Sequence, residues 1–162
     1  MNKLALFPGS FDPFTKGHLD TVERAAQMFE QVTVAIMTNT NKKSLFTKEE
    51  KLTLTQAALA HLPNVKVMAS ELDLTVNLAR DLGATVLIRG IRNTTDYEYE
   101  KSIAHMNHDL APEIETVFLL SPPALSQISS SLIKEITTFG GDVSAYLPTN
   151  IHQAVLSKYQ QK

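Results

Sequence analysis

The feature that most constrains this chain is its strict alternation of strand-like and helix-like segments. Lys3 to Phe7 reads as a short buried strand ended by Pro8-Gly9, and from Leu19 the residues Leu19, Val22, Ala26 and Phe29 recur at helical spacing. Val32 to Met37 is a second strand rich in β-branched residues. Thr47 and Glu50 form a capping-box signature that opens a helix to about Leu62, where Pro63-Asn64 stops it. Val65 to Met68 is a third strand, Leu74 to Leu82 a short helix closed by Gly83, and Thr85 to Ile88 a fourth strand. A long helix from about Thr95 to Leu110, a fifth strand from Thr116 to Leu120, and helices from about Ser129 and Pro148 complete the series.

Five strands interleaved with helices predict an α/β fold, with a parallel sheet covered on both faces. Right-handed crossovers make it a Rossmann-like, doubly wound fold, with an expected strand order of 3-2-1-4-5 and a switch point between strands one and four. The length of 162 residues, without an internal repeat or long linker, predicts one domain over 1–162.

Composition removes several classes of function. The chain has no cysteine, so disulfides, thiolate nucleophiles and Cys-ligated zinc are excluded. A formal net charge of -2 speaks against general nucleic-acid binding, which needs a basic face. The longest apolar runs, such as Val117 to Leu120, are far too short for a bilayer, and no export signal opens the chain, so a cytoplasmic location is expected.

In a doubly wound sheet, ligands bind beyond the carboxyl ends of the strands near the switch point. The unusual residues of this chain cluster there: Gly9 to His18 after strand one, Asn41-Lys42-Lys43 after strand two, Arg89-Gly90-Ile91-Arg92 after strand four, and Ser129-Ser130-Ser131 after strand five. Gly17-His18 falls where the first helix begins, and free N–H groups and the helix dipole there favour a phosphate. His18 as a plain capping residue on the surface is the competing explanation. Arg89 and Arg92 offer rigid forks matched to phosphate oxygens, or else simply pair with Asp96, Glu98 or Glu100. One of the three serines is an N-cap, and the others supply further donors or none. Asp12 fits a turn-shaping role better than a catalytic one. His105 and His108 lie three apart on the long helix without a matching carboxylate, which favours a surface role over metal binding.

Gly9-Ser10-Phe11-Asp12-Pro13 with Gly17-His18 resembles the signature of nucleotidyltransferases that carry a histidine-x-glycine-histidine-type motif, whose first position is Thr15 here. Ile88 to Arg92, Tyr97 to Glu100 and Ile128 to Ser131 extend the likeness to the bacterial phosphopantetheine adenylyltransferase family, from about residue 3 to residue 157. That resemblance implies adenylyl transfer from ATP to 4′-phosphopantetheine, Mg²⁺ and a homohexamer. It makes His18 a transition-state stabiliser, with Lys42 and Arg92 as further catalytic candidates. It implies ATP contacts at Ser10, Phe11, His18, Gly90, Ile91, Arg92, Glu100 and the run Leu125, Ser126, Gln127, Ile128, Ser129, Ser130 and Ser131. The acceptor contacts it implies are Ser10, Lys42, Thr75 and Arg89, with the alignment around residues 70 to 76 free to slip by one. It names no metal ligands.

Two other classes stay open at this point. Transferases with the same signature adenylate nicotinamide mononucleotide or pass cytidylyl groups to alcohol phosphates, and a product assay separates these. A nonenzymatic nucleotide-binding module would keep the phosphate loops but release no pyrophosphate. A class I aminoacyl-tRNA synthetase has a related fold, but this acidic chain has no room to bind tRNA.

Overall fold

A computed structural model describes residues 3–38, 43–71 and 73–161. Five strands, β1 (Leu4–Gly9), β2 (Gln31–Met37), β3 (Val65–Ser70), β4 (Val86–Ile91) and β5 (Glu115–Leu120), alternate with helices α1 (Lys16–Met28), α2 (Lys48–Ala58), α3 (Thr75–Leu82) and α4 (Thr94–Leu110). Two further helices, α5 (Ser130–Thr138) and α6 (Thr149–Gln160), follow β5. The sheet is parallel with the order β3-β2-β1-β4-β5, as the alternation predicts.

Local sequence fixes the helix ends. Thr47 accepts from the Glu50 N–H while the Glu50 carboxylate takes the Thr47 N–H, which closes the predicted capping box. Gly83 ends α3 at φ 71°, a left-handed conformation that costs glycine little and most other residues more. Strand boundaries differ more. β1 runs on through Pro8-Gly9, and β4 includes Arg89-Gly90-Ile91, because Phe118, Leu119 and Leu120 of β5 pair with these three.

The sheet divides the core into two layers. Alternate residues Ala5, Phe7, Val32, Val34, Ile36, Val86 and Ile88 pack with Val22 and Ala25 of α1, Ile133 of α5, and Ile151 and Val155 of α6. Leu6, Ala35 and Leu87 face the other way, onto Val76, Leu78 and Ala79 of α3 and the Ala111–Ile114 turn. The period-two burial of both faces is what a covered parallel sheet requires. Thus α5 and α6 return to the α1 face after β5.

Pairing along the sheet is uneven. β1–β2, β2–β3 and β4–β5 each keep six residues in register, whereas β1 and β4 share two, Ala5↔Val86 and Leu6↔Leu87. Beyond Leu6 the two central strands diverge, and the gap opens at the predicted switch point.

Candidate active site

A cleft of about 300 Å³ occupies this gap, lined from β1, α1, β4, α4 and α5 and the turns that join them. Its inner wall comes from β1 and the turn into α1. Phe7, Phe11 and Phe14 surround the His18 imidazole, with Phe11 edge-on at 5.0 Å between centroids. Phe11 holds a left-handed φ of 46°, an uncommon conformation for a bulky side chain, and its ring lies against Gly9. A Cβ at position 9 would stand 2.8 Å from the Phe11 ring, so glycine is what allows the ring into place.

His18 is the third residue of α1 and closes a capping box with Thr15. The His18 N–H donates to Thr15 Oγ1 at 3.3 Å, and the Thr15 N–H donates to His18 Nδ1 at 3.0 Å. Since Nδ1 accepts, the proton of the neutral ring sits on Nε2. Burial among the rings lowers the His18 pKa from 6.5 to about 4, and the charges of Arg92 and Arg89 push it the same way. At neutral pH the residue is a neutral imidazole whose remaining polar group is an Nε2–H donor. Both sequence explanations therefore meet in one side chain: it caps the helix through one nitrogen and leaves the other for the cleft.

The opposite wall is built by β4 and α4. Arg89 makes a two-pronged pair with Glu100, at 2.8 and 2.7 Å, and its Nη1 donates to the Pro8 carbonyl at 3.0 Å. The guanidinium thus bridges β1 and β4 where their ladder has ended, and Pro8 has no N–H with which to continue it. Glu100 is the one buried residue of α4. Arg92 pairs with Asp96 at 2.8 and 3.1 Å and donates to the Ile128 carbonyl at 3.0 Å. The same contacts hold the Asp96 carboxyl below its ordinary pKa.

Each guanidinium has five N–H donors and commits three of them here, which leaves two without a partner among the described residues. The two carboxylates balance the two arginines. Positive potential in the cleft therefore comes mainly from these spare N–H groups and from two helix N-termini, α1 and α5. Neither helix has an acidic residue in its first turn.

At the start of α5 the three serines part company. Ser129 is the N-cap and accepts from the Leu132 N–H, while Ser130 donates to the Pro13 carbonyl at 2.8 Å. Ser131 is exposed.

Of the residues singled out from sequence, Ser10, Phe11, His18, Arg89, Gly90, Arg92, Glu100, Leu125, Ile128, Ser129 and Ser130 line the cleft. Ile91, Ser126, Gln127, Ser131 and Thr75 do not: Ile91 is buried, Ser126 donates to the Pro123 carbonyl, and Thr75 begins α3. Lys42 lies outside the described residues. Thr21, Asp96 and Ser121 also line the cleft but were not selected. Asp96 was legible only as a partner for arginine, and Thr21 carries no signal beyond its helical spacing. His105 and His108 are exposed, and among the described residues no group of three or more His, Asp or Glu side chains could hold a metal ion.

Comparison with known proteins gives the family and the fold. A family model for cytidylyltransferase-like proteins matches residues 6–136. Phosphopantetheine adenylyltransferases of Lacticaseibacillus casei and Lacticaseibacillus paracasei are each 56% identical over 156 residues, 96% of this chain and 93% of theirs. A solved structure from Vibrio parahaemolyticus, described as a candidate nicotinate-nucleotide adenylyltransferase, matches 100% of this chain and 98% of its own with a TM-score of 0.74. At 18% identity that last likeness speaks for the fold.

Proposed function

This chain belongs to the cytidylyltransferase-like family and, within it, to the phosphopantetheine adenylyltransferases, and from that premise we infer its reaction. It transfers the adenylyl group of ATP to 4′-phosphopantetheine and releases dephospho-coenzyme A and pyrophosphate. An oxygen of the acceptor phosphate bonds to the α-phosphorus of ATP as the bond from that phosphorus to the bridging oxygen of pyrophosphate breaks. The nucleophile is already an anion, so the reaction calls for alignment and charge stabilisation more than for covalent help.

The observation that carries the mechanism is the neutral His18 imidazole, set at the α1 N-terminus in the cleft, whose Nε2–H has no partner among the described residues. In this reading Nε2–H donates to an α-phosphate oxygen and strengthens that bond as charge builds up in the transition state. Ser10, Phe11, Gly90, Arg92, Glu100, Leu125, Ile128, Ser129 and Ser130 hold ATP from the cleft walls, with the α5 N-terminus facing the leaving pyrophosphate. Ser10, Lys42, Thr75 and Arg89 receive the acceptor. Arg89 and Glu100 then act as one rigid unit, because their pairing fixes the direction of the spare guanidinium N–H groups.

Mg²⁺ is proposed to accompany ATP on its phosphates, as is usual for this ion. The cleft carboxylates Asp96 and Glu100 are both held by arginine, so among the described residues no dedicated protein cage is built, and the ATP phosphates would hold the ion. The chain is read as one nucleotidyltransferase domain over 1–162 that works in the cytoplasm as a homohexamer. The exposed apolar residues Tyr99, Met106 and Leu110 of α4 and Leu120 of β5 support self-association. Among the described residues no helix is long and apolar enough to cross a membrane.

The test is a product assay. Incubation with Mg-ATP and 4′-phosphopantetheine yields dephospho-coenzyme A and pyrophosphate in equal amounts, and nicotinate or nicotinamide mononucleotide in its place yields neither. Turnover of a mononucleotide instead of phosphopantetheine would refute the assignment.

A further inference from the structure

Thr21 lines the cleft, yet adenylyl transfer at His18 gives it no task. It lies on α1 about one turn beyond His18 and is 4% exposed. Thr21 Oγ1 donates to the Gly17 carbonyl at 3.1 Å. That bond uses the only hydrogen of the hydroxyl, so toward the cleft the oxygen acts as an acceptor alone. Across from it stands Gly90 of β4, on the same side of the strand as Ile88 and therefore facing α1. A Cβ at position 90 would meet Thr21 Oγ1 at 3.5 Å and, chain neighbours aside, no other heavy atom of the described residues within 4 Å. Bare backbone and one buried hydroxyl thus frame a slot between α1 and the carboxyl end of β4.

The ends of the slot are fixed. One opens toward His18, at the α1 N-terminus. Beyond Thr21, Arg24 donates to the Leu120 carbonyl at 2.8 Å and ties α1 to the end of β5. Leu125 and Ile128 add apolar lining to the same cleft. A nucleobase has the matching form, with two apolar faces and a polar edge. A phosphate or carboxylate would bring acceptors to an acceptor. The ribose follows directly on the α-phosphate, which leaves the base for the far part of the slot. We propose that Thr21 is a specificity-determining residue: its hydroxyl oxygen accepts from the 6-amino group of the ATP base, while the purine face lies on the Gly90 backbone. The inference rests on the reading of ATP as substrate and of His18 as its α-phosphate contact. A 6-oxo purine would set a carbonyl oxygen against the hydroxyl oxygen in a buried place, with no hydrogen available between them. Thr21 therefore selects by repulsion as well as by attraction.

The test compares the wild-type enzyme with Thr21→Val and Thr21→Ser. Three nucleotides are offered as Mg²⁺ complexes: ATP, purine riboside triphosphate, which lacks the 6-amino group, and inosine triphosphate, which carries oxygen there. Each is measured as kcat/KM with saturating 4′-phosphopantetheine, and as equilibrium binding by calorimetry without acceptor. Thr21→Val is expected to lower both quantities for ATP by about tenfold and to leave purine riboside triphosphate within about twofold of wild type. Inosine triphosphate, the poorest of the three for the wild type, should gain in Thr21→Val. Thr21→Ser keeps the hydroxyl and with it the wild-type order of the three nucleotides.

Equal losses toward ATP and purine riboside triphosphate in Thr21→Val would overturn the proposal and leave Thr21 a residue of helix packing. Unchanged preferences among the three nucleotides would overturn it as well. So would a lost preference for ATP over 2′-deoxy-ATP with the 6-amino preference intact, since the hydroxyl would then read the ribose. Wild-type enzyme that binds ATP with the expected preference, weakened in Thr21→Val, but forms no dephospho-coenzyme A would refute the proposed reaction and support the role of Thr21.

Discussion

The two sides of β1 obey opposite rules. Toward β2 the strand keeps six residues in register and buries Val32, Val34 and Ile36 completely. Toward β4 it keeps two, and the place of the missing ladder is taken by the Arg89 side chain bonded to the Pro8 carbonyl. The closed side consists of backbone pairing and apolar packing, which stabilise but carry no chemistry. The open side leaves backbone groups, arginines and an imidazole at a surface where a ligand can reach them. One strand thus serves as both scaffold and site wall, and the division falls after Leu6.

This contrast can be broken from either side. The largest effect is expected at the bridge itself. Arg89→Met leaves Glu100 buried without its partner, which costs about 3–5 kcal/mol in denaturant unfolding, and activity falls with it. Adding Glu100→Leu should recover most of that stability but no activity. Recovery of both would mean that the bridge only fills space. Next comes His18→Ala, where kcat should fall by about 10²–10³-fold with the KM for ATP nearly unchanged. A matched rise in KM would assign His18 to ground-state binding instead. On the closed side, Val34→Ala should cost about 2 kcal/mol through lost burial while kcat stays at the wild-type value, and a clear fall in kcat would show that the two sides are coupled.

The smallest effect concerns acid. The folded-state pKa of His18, about 4, lies below its value of 6.5 in an unfolded chain, so the unfolded chain takes up the proton more readily. The stability tied to the neutral ring is complete above 6.5 and drains away as pH falls toward 4. Nitrogen NMR should show the Nε2–H form at neutral pH and down to about pH 5. Arg92→Gln should raise the midpoint, because one of the charges that opposes protonation is gone. A His18 midpoint near 6.5 in the wild type would remove the enclosed imidazole from the contrast.

Much of this architecture could be read from sequence, since it depends on short-range patterns. The strand order follows from alternation and handedness, and the Thr47 and Glu50 box and the Gly83 stop are local chemistry. The carboxyl end of β4 misled, because Arg89-Gly90 has the composition of a loop and only its pairing with Phe118 and Leu119 makes it strand. In the cleft, residue types that favour phosphate pointed to His18, Arg89, Arg92 and Ser130. Their partners were legible only as a set, Asp96, Glu98 or Glu100, since nothing local singles out Glu100 over Glu98 for Arg89. The reach of Asp12 to Leu45, Phe46 and Lys134 spans up to 122 positions, beyond what any window on the chain can register.

That reach bears on the order in which the protein is made. A nascent chain synthesised as far as Leu120 holds all five strands and the whole signature from Gly9 to His18. It still lacks the Ser130 hydroxyl that binds Pro13, the Lys134 ammonium beside Asp12, and the Tyr159 hydroxyl that donates to the Lys134 carbonyl. The loop after β1 is braced by residues 117 and 122 positions further along the chain. The catalytic turn is therefore secured only once α5 and α6 have packed against the sheet.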